Sequence, residues 1–283
     1  MNQAFLYDIQ SAPQINLRNR TSQVMAGKVL GGSSAVNAMM TLRGAAEDFD
    51  RWGRFFGNES DWSWKGLLPY FKKALNFVPP DGEVTRSASI TYNTTFWGNT
   101  SGVYVGWPSY QYPGTRAQVE AFREIPGVDF PGDSGAGRPG VYWYPTFMDP
   151  KTVTRSYART GHYKDLNRSN YQVITGSRVN KIILNGTTAA GISFVPVVKP
   201  GPSNSSAPPK SATTVLATKE VILAAGGIHS PQLLQLSGIG PKKLLESANI
   251  TTIIDLPGVG QNFQDHPMLQ MSITCKIKAA LSL

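Results

Sequence analysis

Two stretches of this chain hold residue types whose spacing could bind a charged or planar ligand. The first is 27–43, GKVLGGSSAVNAMMTLR. Gly31 and Gly32 let a backbone pass close to a ligand, and Ser33 and Ser34 can cap a helix of small residues after them. Free N–H groups at such a helix start attract an anion such as a pyrophosphate. Asn37, one turn further on, could face its amide to the same ligand. An ordinary capped helix explains the same residues equally well. The second stretch is 221–240, VILAAGGIHSPQLLQLSGIG. It predicts a buried strand ending in Ala224-Ala225-Gly226-Gly227. A helix should follow, with Ser230 as N-cap, Pro231 at its first position and Gly238 past its end. Small residues at a strand's C-terminal end suit a cofactor crevice in an α/β sheet. A βα unit with nothing bound is the even alternative.

Other short patterns fail on context. Gly27-Lys28 ends like a phosphate loop, but Ser22 stands where the leading Gly belongs and Val29 where Ser or Thr belongs. Gly258-Val259-Gly260 begins like a dinucleotide fingerprint, yet Phe263 takes the third Gly position and no helical pattern follows. Gly132-Asp133-Ser134-Gly135 looks like a nucleophile loop without a matching His environment, so it reads as a turn. The histidines, His162, His229 and His266, are too few and too dispersed for a metal cluster.

The elements that must position these stretches can be read from periodicity. Residues 61–77 predict an amphipathic helix, with Asp61 or Ser63 as cap and Trp64, Leu67, Leu68, Phe71 and Leu75 on one face. Pro69 should kink its first turns or mark its real beginning. Residues 79–150 are rich in Tyr, Trp, Pro and Gly with little periodicity, and read as a loop-rich segment lying over something else. From 171 the pattern turns β: YQVIT, RVNKIIL, AAGISFVPV and TTVLATKEVILAA, with a turn at Asn185-Gly186 and a Pro/Ser loop at 200–210. A helix PKKLLESA, a strand TTIIDL and the loop PGVGQNFQDHP complete the series.

Composition bounds the rest. The 283 residues are 41% hydrophobic and 16% charged, enough to bury a core, which excludes global disorder. No apolar run approaches the ~18 residues of a membrane span. The net charge of +9 is scattered, without a basic stripe interleaved with aromatics, so nucleic acid is not an expected partner. The lone cysteine, Cys275, allows neither an intrachain disulfide nor a zinc knuckle. Asn-x-Ser/Thr sequons at Asn58, Asn93, Asn99, Asn167, Asn185, Asn204 and Asn249 exceed chance and favour a secreted parent. The N-terminus MNQAFLYDIQ nevertheless has neither the charged nor the apolar region of a signal peptide. Residue 1 is therefore expected not to be the true start of the ancestral protein.

Taken together, the stretches 27–43 and 221–240 resemble the two signature regions of the glucose–methanol–choline (GMC) family of FAD-dependent oxidoreductases. Arg43-Gly44, DFDRW at 48–52, LLPYFKK, RSYARTGHY at 155–163 and DLPGVGQNFQDHP at 255–267 extend the likeness over nearly the whole chain. The resemblance implies a mixed α/β fold: part of a GMC-type FAD-binding domain with a loop-rich substrate-side segment. It implies four parts. Residues 1–78 belong to the FAD-binding part with the flavin-attachment segment, and 79–160 form a substrate-side lid. Residues 161–265 form a second FAD-binding part with a β meander and a strand-AAGG-helix unit, and 266–283 begin a substrate domain.

By that resemblance, Gly32, Ser33, Asn37, Ala38 and Met40 lie beside the flavin and its diphosphate, and the backbone of Val179 meets the adenine side. The implied reaction takes a small alcohol as substrate, with hydride passing to flavin N5 and oxygen or a quinone-like acceptor reoxidising the flavin. Members resembling this chain include secreted glucose- and aryl-alcohol-oxidising enzymes. No histidine aligns with the family's catalytic pair, which is expected beyond Leu283, and His266 is expected to be structural. The family's leading GxGxxG loop has no counterpart here. The chain is therefore expected to be a middle piece, inactive alone, with a cyanohydrin lyase of the same fold or a non-enzymatic fragment as alternatives.

Overall fold

The structure is a computed structural model that describes residues 3–57, 60–197 and 211–265. The chain divides into two compact units, Met1–Tyr171 and Gln172–Leu283.

The first unit opens with an antiparallel hairpin, β1 (Leu6–Gln10) and β2 (Gln23–Gly27), in register from Leu6 opposite Gly27 to Gln10 opposite Gln23. A 3-10 turn, Gly32–Ala35, follows. Two helices, α1 (Ala46–Phe55) and α2 (Trp64–Lys73), meet through aromatic rings. Phe49 contacts Trp52, Trp64 and Phe71 at centroid distances of 5.4, 5.8 and 5.2 Å. Ser63 is the cap of α2, its Oγ accepting from Gly66 N at 3.3 Å, while Asp50 Oδ1 accepts from Trp64 N at 2.9 Å. The helix thus begins before Pro69, which lies inside it. It also ends sooner than its periodicity predicts. Asn76–Phe77 becomes β3, because two residues of backbone pair parallel with β4 (Tyr104–Val105).

Residues 79–150 hold α3 (Gly82–Ala88), α4 (Pro113–Arg123) and β5 (Met148–Asp149), which pairs with β6 (Thr154–Arg155) ahead of α5 (Ala158–His162). This stretch is rich in loops, as its composition predicts, but it does more than cover something else. Val84, Ala88, Ile90, Trp97, Val105 and Trp107 are buried together with Phe77 as the unit's hydrophobic cluster. Phe77 stacks on Trp97 at 5.1 Å and meets Trp107 edge-on at 5.5 Å. The aromatic richness that looks irregular along the sequence is core material contributed by short elements.

In the second unit β7 (Ser177–Asn185), β8 (Thr188–Pro196) and β9 (Thr213–Leu216) form an antiparallel sheet. Its first turn falls at Asn185-Gly186, with Gly186 at φ +59°, as the sequence predicts. Helix α6 (Gly226–Leu236) is tied to β7 by Ser237. The Ser237 hydroxyl, fully buried, donates to Leu233 O at 2.6 Å and accepts from Ile182 N at 2.8 Å. Then β10 (Ile239–Gly240), α7 (Lys242–Ser247) and β11 (Ile254–Asp255) follow, β10 and β11 pairing in parallel around the buried Leu245.

Three sequence-based expectations are corrected here. Residues 171–175, YQVIT, form no strand. The run 221–225 forms none either: it pairs with nothing among the described residues, and Ile222 is 79% exposed. β-propensity expresses fit to a neighbouring strand, and an apolar run without one stays irregular. Finally, α6 starts at Gly226 rather than after Ser230, so Pro231 sits in its second turn. The Pro/Ser loop 200–210 lies outside the described residues.

Candidate flavin-binding site

The 27–43 stretch is shaped by close backbone approach. Strand β2 ends at Gly27, whose N–H donates to Ser33 Oγ at 3.1 Å. A Cβ on Gly27 would run into the carbonyl of Gly32, so the returning loop requires glycine there. Gly31, at φ +99°, lies against the Tyr157 ring, where a Cβ would stand 2.9 Å from Cδ2. Gly32, at φ +56°, is the opposite case: a Cβ would find nothing within 4 Å. The small-residue helix predicted after it is a single 3-10 turn, Gly32–Ala35, closed by Val36 N and Asn37 N donating to Ser33 O at 3.2 and 3.1 Å. Consecutive positive-φ glycines and β-branched Val36 favour a tight turn over a continuing α-helix.

Ser33, Asn37, Ala38 and Met40, in the segment that follows Gly32, are all exposed. Ser33 is held from behind by Gly27, and Ser34 Oγ donates to Gly31 O at 2.5 Å while accepting from Ala158 N at 3.2 Å. Met39 takes φ +61°, an uncommon state for a residue with a side chain, and its carbonyl accepts from Phe147 N at 2.8 Å. Met40 then bridges to Thr146, and Thr41 N donates to Pro145 O at 3.0 Å. An unobstructed glycine, with one exposed serine, one exposed amide and one exposed thioether close to it in sequence, supplies the donor and apolar groups that a planar ring system with a polar tail would need.

The clamp on this stretch comes from far along the sequence. Arg155 Nη1 donates to Asn37 Oδ1 at 2.7 Å and to Ser34 O at 3.3 Å, and its Nη2 donates to Asn37 O at 2.8 Å. Asn37 Oδ1 also accepts from Met39 N at 3.1 Å. Nothing in local spacing announces a partner 118 residues away. The run RSYARTGHY marks the segment but not the pairing.

A second polar centre in the same unit fixes the entry to α1. Asp133 is buried, and its carboxylate accepts from Asn93 N at 2.6 Å, Trp97 Nε1 at 3.0 Å and Gly135 N at 2.6 Å. The GDSG turn thus serves structure, as its sequence context implies. Arg43 donates through Nη1 to Phe96 O at 2.6 Å and Gly135 O at 3.1 Å, with its guanidinium 4.6 Å from the Trp97 ring centroid. Burial lowers its pKa to about 10, against an opposing pull from Asp133.

Val179 belongs to the second unit, on β7 opposite Phe194, and is 38% exposed. The ladder shifts register just after it, between Val179 and Lys181, a bulge that re-aims the backbone. The third segment is tied to α6 by Gln235 Nε2 donating to Val259 O at 3.2 Å. His162 lies in α5 and His229 in α6. His266 lies outside the described residues, as do Cys275, Asn58, Asn204 and the proposed start of a substrate domain. Among the described residues no group of His, Cys, Asp or Glu could hold a metal, and no helix is long and apolar enough to cross a membrane.

Comparison with known proteins gives the family and the fold. The GMC oxidoreductase family model matches residues 7–268, and the chain belongs to that family of FAD-dependent flavoproteins. A dehydrogenase, xptC, of Emericella nidulans is 41% identical over 261 residues, covering 91% of this chain and 40% of the relative. The oxygen-dependent choline dehydrogenase of Pectobacterium carotovorum is 34% identical over 96% of this chain and 44% of its own length. An FAD-dependent oxidoreductase from Chaetomium thermophilum superposes with a TM-score of 0.83 at 41% identity, covering 92% of this chain and 43% of that one. A fungal aryl-alcohol oxidase superposes with a TM-score of 0.84 at 32% identity, over 92% of this chain and 42% of that one. The chain thus spans about two fifths of the length of these relatives.

Proposed function

We propose that the protein carrying this chain oxidises the CH–OH group of a small, preferably aromatic, alcohol, with oxygen or a quinone-like compound as final acceptor. Bound FAD supplies the hydride-accepting ring. In this reading 1–78 and 161–265 serve the cofactor, 79–160 the substrate side, and 266–283 open a substrate domain. Gly32 leaves room for the ring system, and Ser33 faces its diphosphate. Ala38 and Met40 give apolar contact, Asn37 offers a hydrogen-bond donor, and Val179 meets the adenine side. The observation that carries the reading is that a Cβ on Gly32 would meet nothing within 4 Å, in a segment whose Ser33, Asn37 and Met40 are exposed.

The test is to express the complete reading frame and record flavin absorbance with and without alcohols under argon. Substrate-dependent bleaching is expected, strongest with benzylic alcohols. A protein purified without flavin would overturn the reading. Flavin that stays oxidised while cyanohydrins are cleaved would assign a lyase instead.

We also propose that the protein is secreted and N-glycosylated. Asn93, Asn99, Asn167, Asn185 and Asn249 are all exposed, and Asn19-Arg20-Thr21 adds a further exposed sequon to the seven named above. At Asn93 the side-chain oxygen accepts from the Thr95 hydroxyl at 2.7 Å, which presents acceptor and hydroxyl side by side. Peptide mass spectrometry after expression in a secretory host should find glycan at Asn93 and Asn99, and at Asn204. Unmodified asparagine at all three would count against secretion.

A further inference from the structure

We propose that Arg155 is a positioning residue for the flavin site, acting through Asn37; this rests on the reading that the 31–41 segment faces the cofactor. A side-chain amide can turn either end outward, and the choice decides whether it offers a donor or an acceptor. Here the choice is made by two donors. Arg155 Nη1, at 2.7 Å, and Met39 N, at 3.1 Å, both address Oδ1. A flipped amide would set its NH2 against a guanidinium and a backbone N–H. The Arg155 contact is charge-assisted, the stronger of the two kinds of hydrogen bond present. The exposed Asn37 therefore presents Nδ2 as a donor, suited to an acceptor atom on the ring system.

The same guanidinium also fixes the backbone that carries the amide. Its remaining bonds, to Ser34 O at 3.3 Å and Asn37 O at 2.8 Å, bracket the end of the 3-10 turn. Neighbouring residues repeat the attachment: Ala158 N donates to Ser34 Oγ at 3.2 Å, and the Tyr157 ring lies against Gly31. Arg155 differs from these in reaching the side chain that offers the donor. Lysine has one point charge in place of a planar fork and cannot reproduce contacts made from two separate nitrogens.

The test is a double-mutant cycle in the protein expressed from its complete reading frame. FAD dissociation constants are read by flavin fluorescence titration of apoprotein, for wild type, Arg155→Met, Asn37→Ala, the double variant and Arg155→Lys. Each single variant should weaken FAD about five- to tenfold, the scale of one oriented hydrogen bond. The double variant should lose no more than the worse single, and lysine should rescue in part. Asn37→Asp guards against a folding artefact, since it keeps both acceptor contacts but has no NH2 to donate. It should bind FAD as poorly as Asn37→Ala while unfolding at the wild-type temperature. Additive losses in the double variant, or wild-type binding by Asn37→Asp, would overturn the positioning role. A wild type that binds no FAD would instead overturn the cofactor reading beneath it.

Discussion

Replacing Asp133 by alanine should damage the first unit far more than replacing Arg43 by methionine. The two residues share one buried polar centre but are satisfied very differently. The Asp133 carboxylate holds two backbone N–H groups and an indole N–H at 2.6 to 3.0 Å. Its removal strands three donors, each held by the carboxylate in the folded chain. Leaving a buried donor unsatisfied costs about 1–3 kcal/mol, so about 3–5 kcal/mol in all is expected where water recovers part of the loss. For a unit of this size that corresponds to roughly 6–20 °C in midpoint temperature. Arg43 is less well served. Its Nη2 has no partner and burial already disfavours its charge. Methionine would keep much of the contact with the Trp97 and Phe71 rings and give up the two bonds to Phe96 O and Gly135 O. About 1–2 kcal/mol is the expected loss. Urea unfolding followed by tryptophan fluorescence measures both, with Trp97 inside the affected region. If Arg43→Met proves the costlier substitution, or if Asp133→Ala costs under ~1 kcal/mol, the view of Asp133 as organiser of this turn is wrong.

Three more outcomes follow from the geometry. The lowered Arg43 pKa means that the unfolded chain binds the extra proton between about pH 10 and the ordinary arginine value. Arg43's burial penalty is therefore fully present below pH 10 and relieved above it, so the stability difference between wild type and Arg43→Met should shift toward wild type as pH rises through that window. Gly32→Ala should lose only about 1 kcal/mol of stability, from its left-handed backbone, while reducing retained flavin measurably by absorbance, because the new methyl enters the open space. Ser237→Ala should cost about 1–3 kcal/mol and speed hydrogen exchange at the Ile182 amide, which the hydroxyl now accepts from.

Sequence was informative where structure is local. The Ser63 cap, the Asn185-Gly186 turn and the long β7 and β8 strands follow from residue types and spacing, because each is decided within a few residues. The glycine pair at 31–32 also announced a close approach, though not which glycine meets a wall and which meets open space. Pairings at a distance were invisible. Arg155 with Asn37, Asp133 with Asn93 and Trp97, and Ser237 with Ile182 each depend on chain segments whose approach no local pattern encodes. The misread strand at 221–225 has the same origin: five apolar residues state a preference, and only a neighbouring strand turns that preference into a ladder. The family resemblance proposed roles for residues whose physical reading alone left a capped helix and a ligand site both open.

The separation between Asn37 and Arg155 also sets an order of events. During synthesis the glycine loop leaves the ribosome well before its clamp, which follows 118 residues later. At ordinary elongation rates that is a delay of about 6–24 s. Hairpin β1–β2 can close in microseconds and reopen many times within that interval, but the Asn37 amide lacks its charge-assisted partner until Arg155 arrives. Long-range closure of this kind comes late in folding. The Asn37 amide is thus expected to gain its fixed orientation among the last contacts of the first unit.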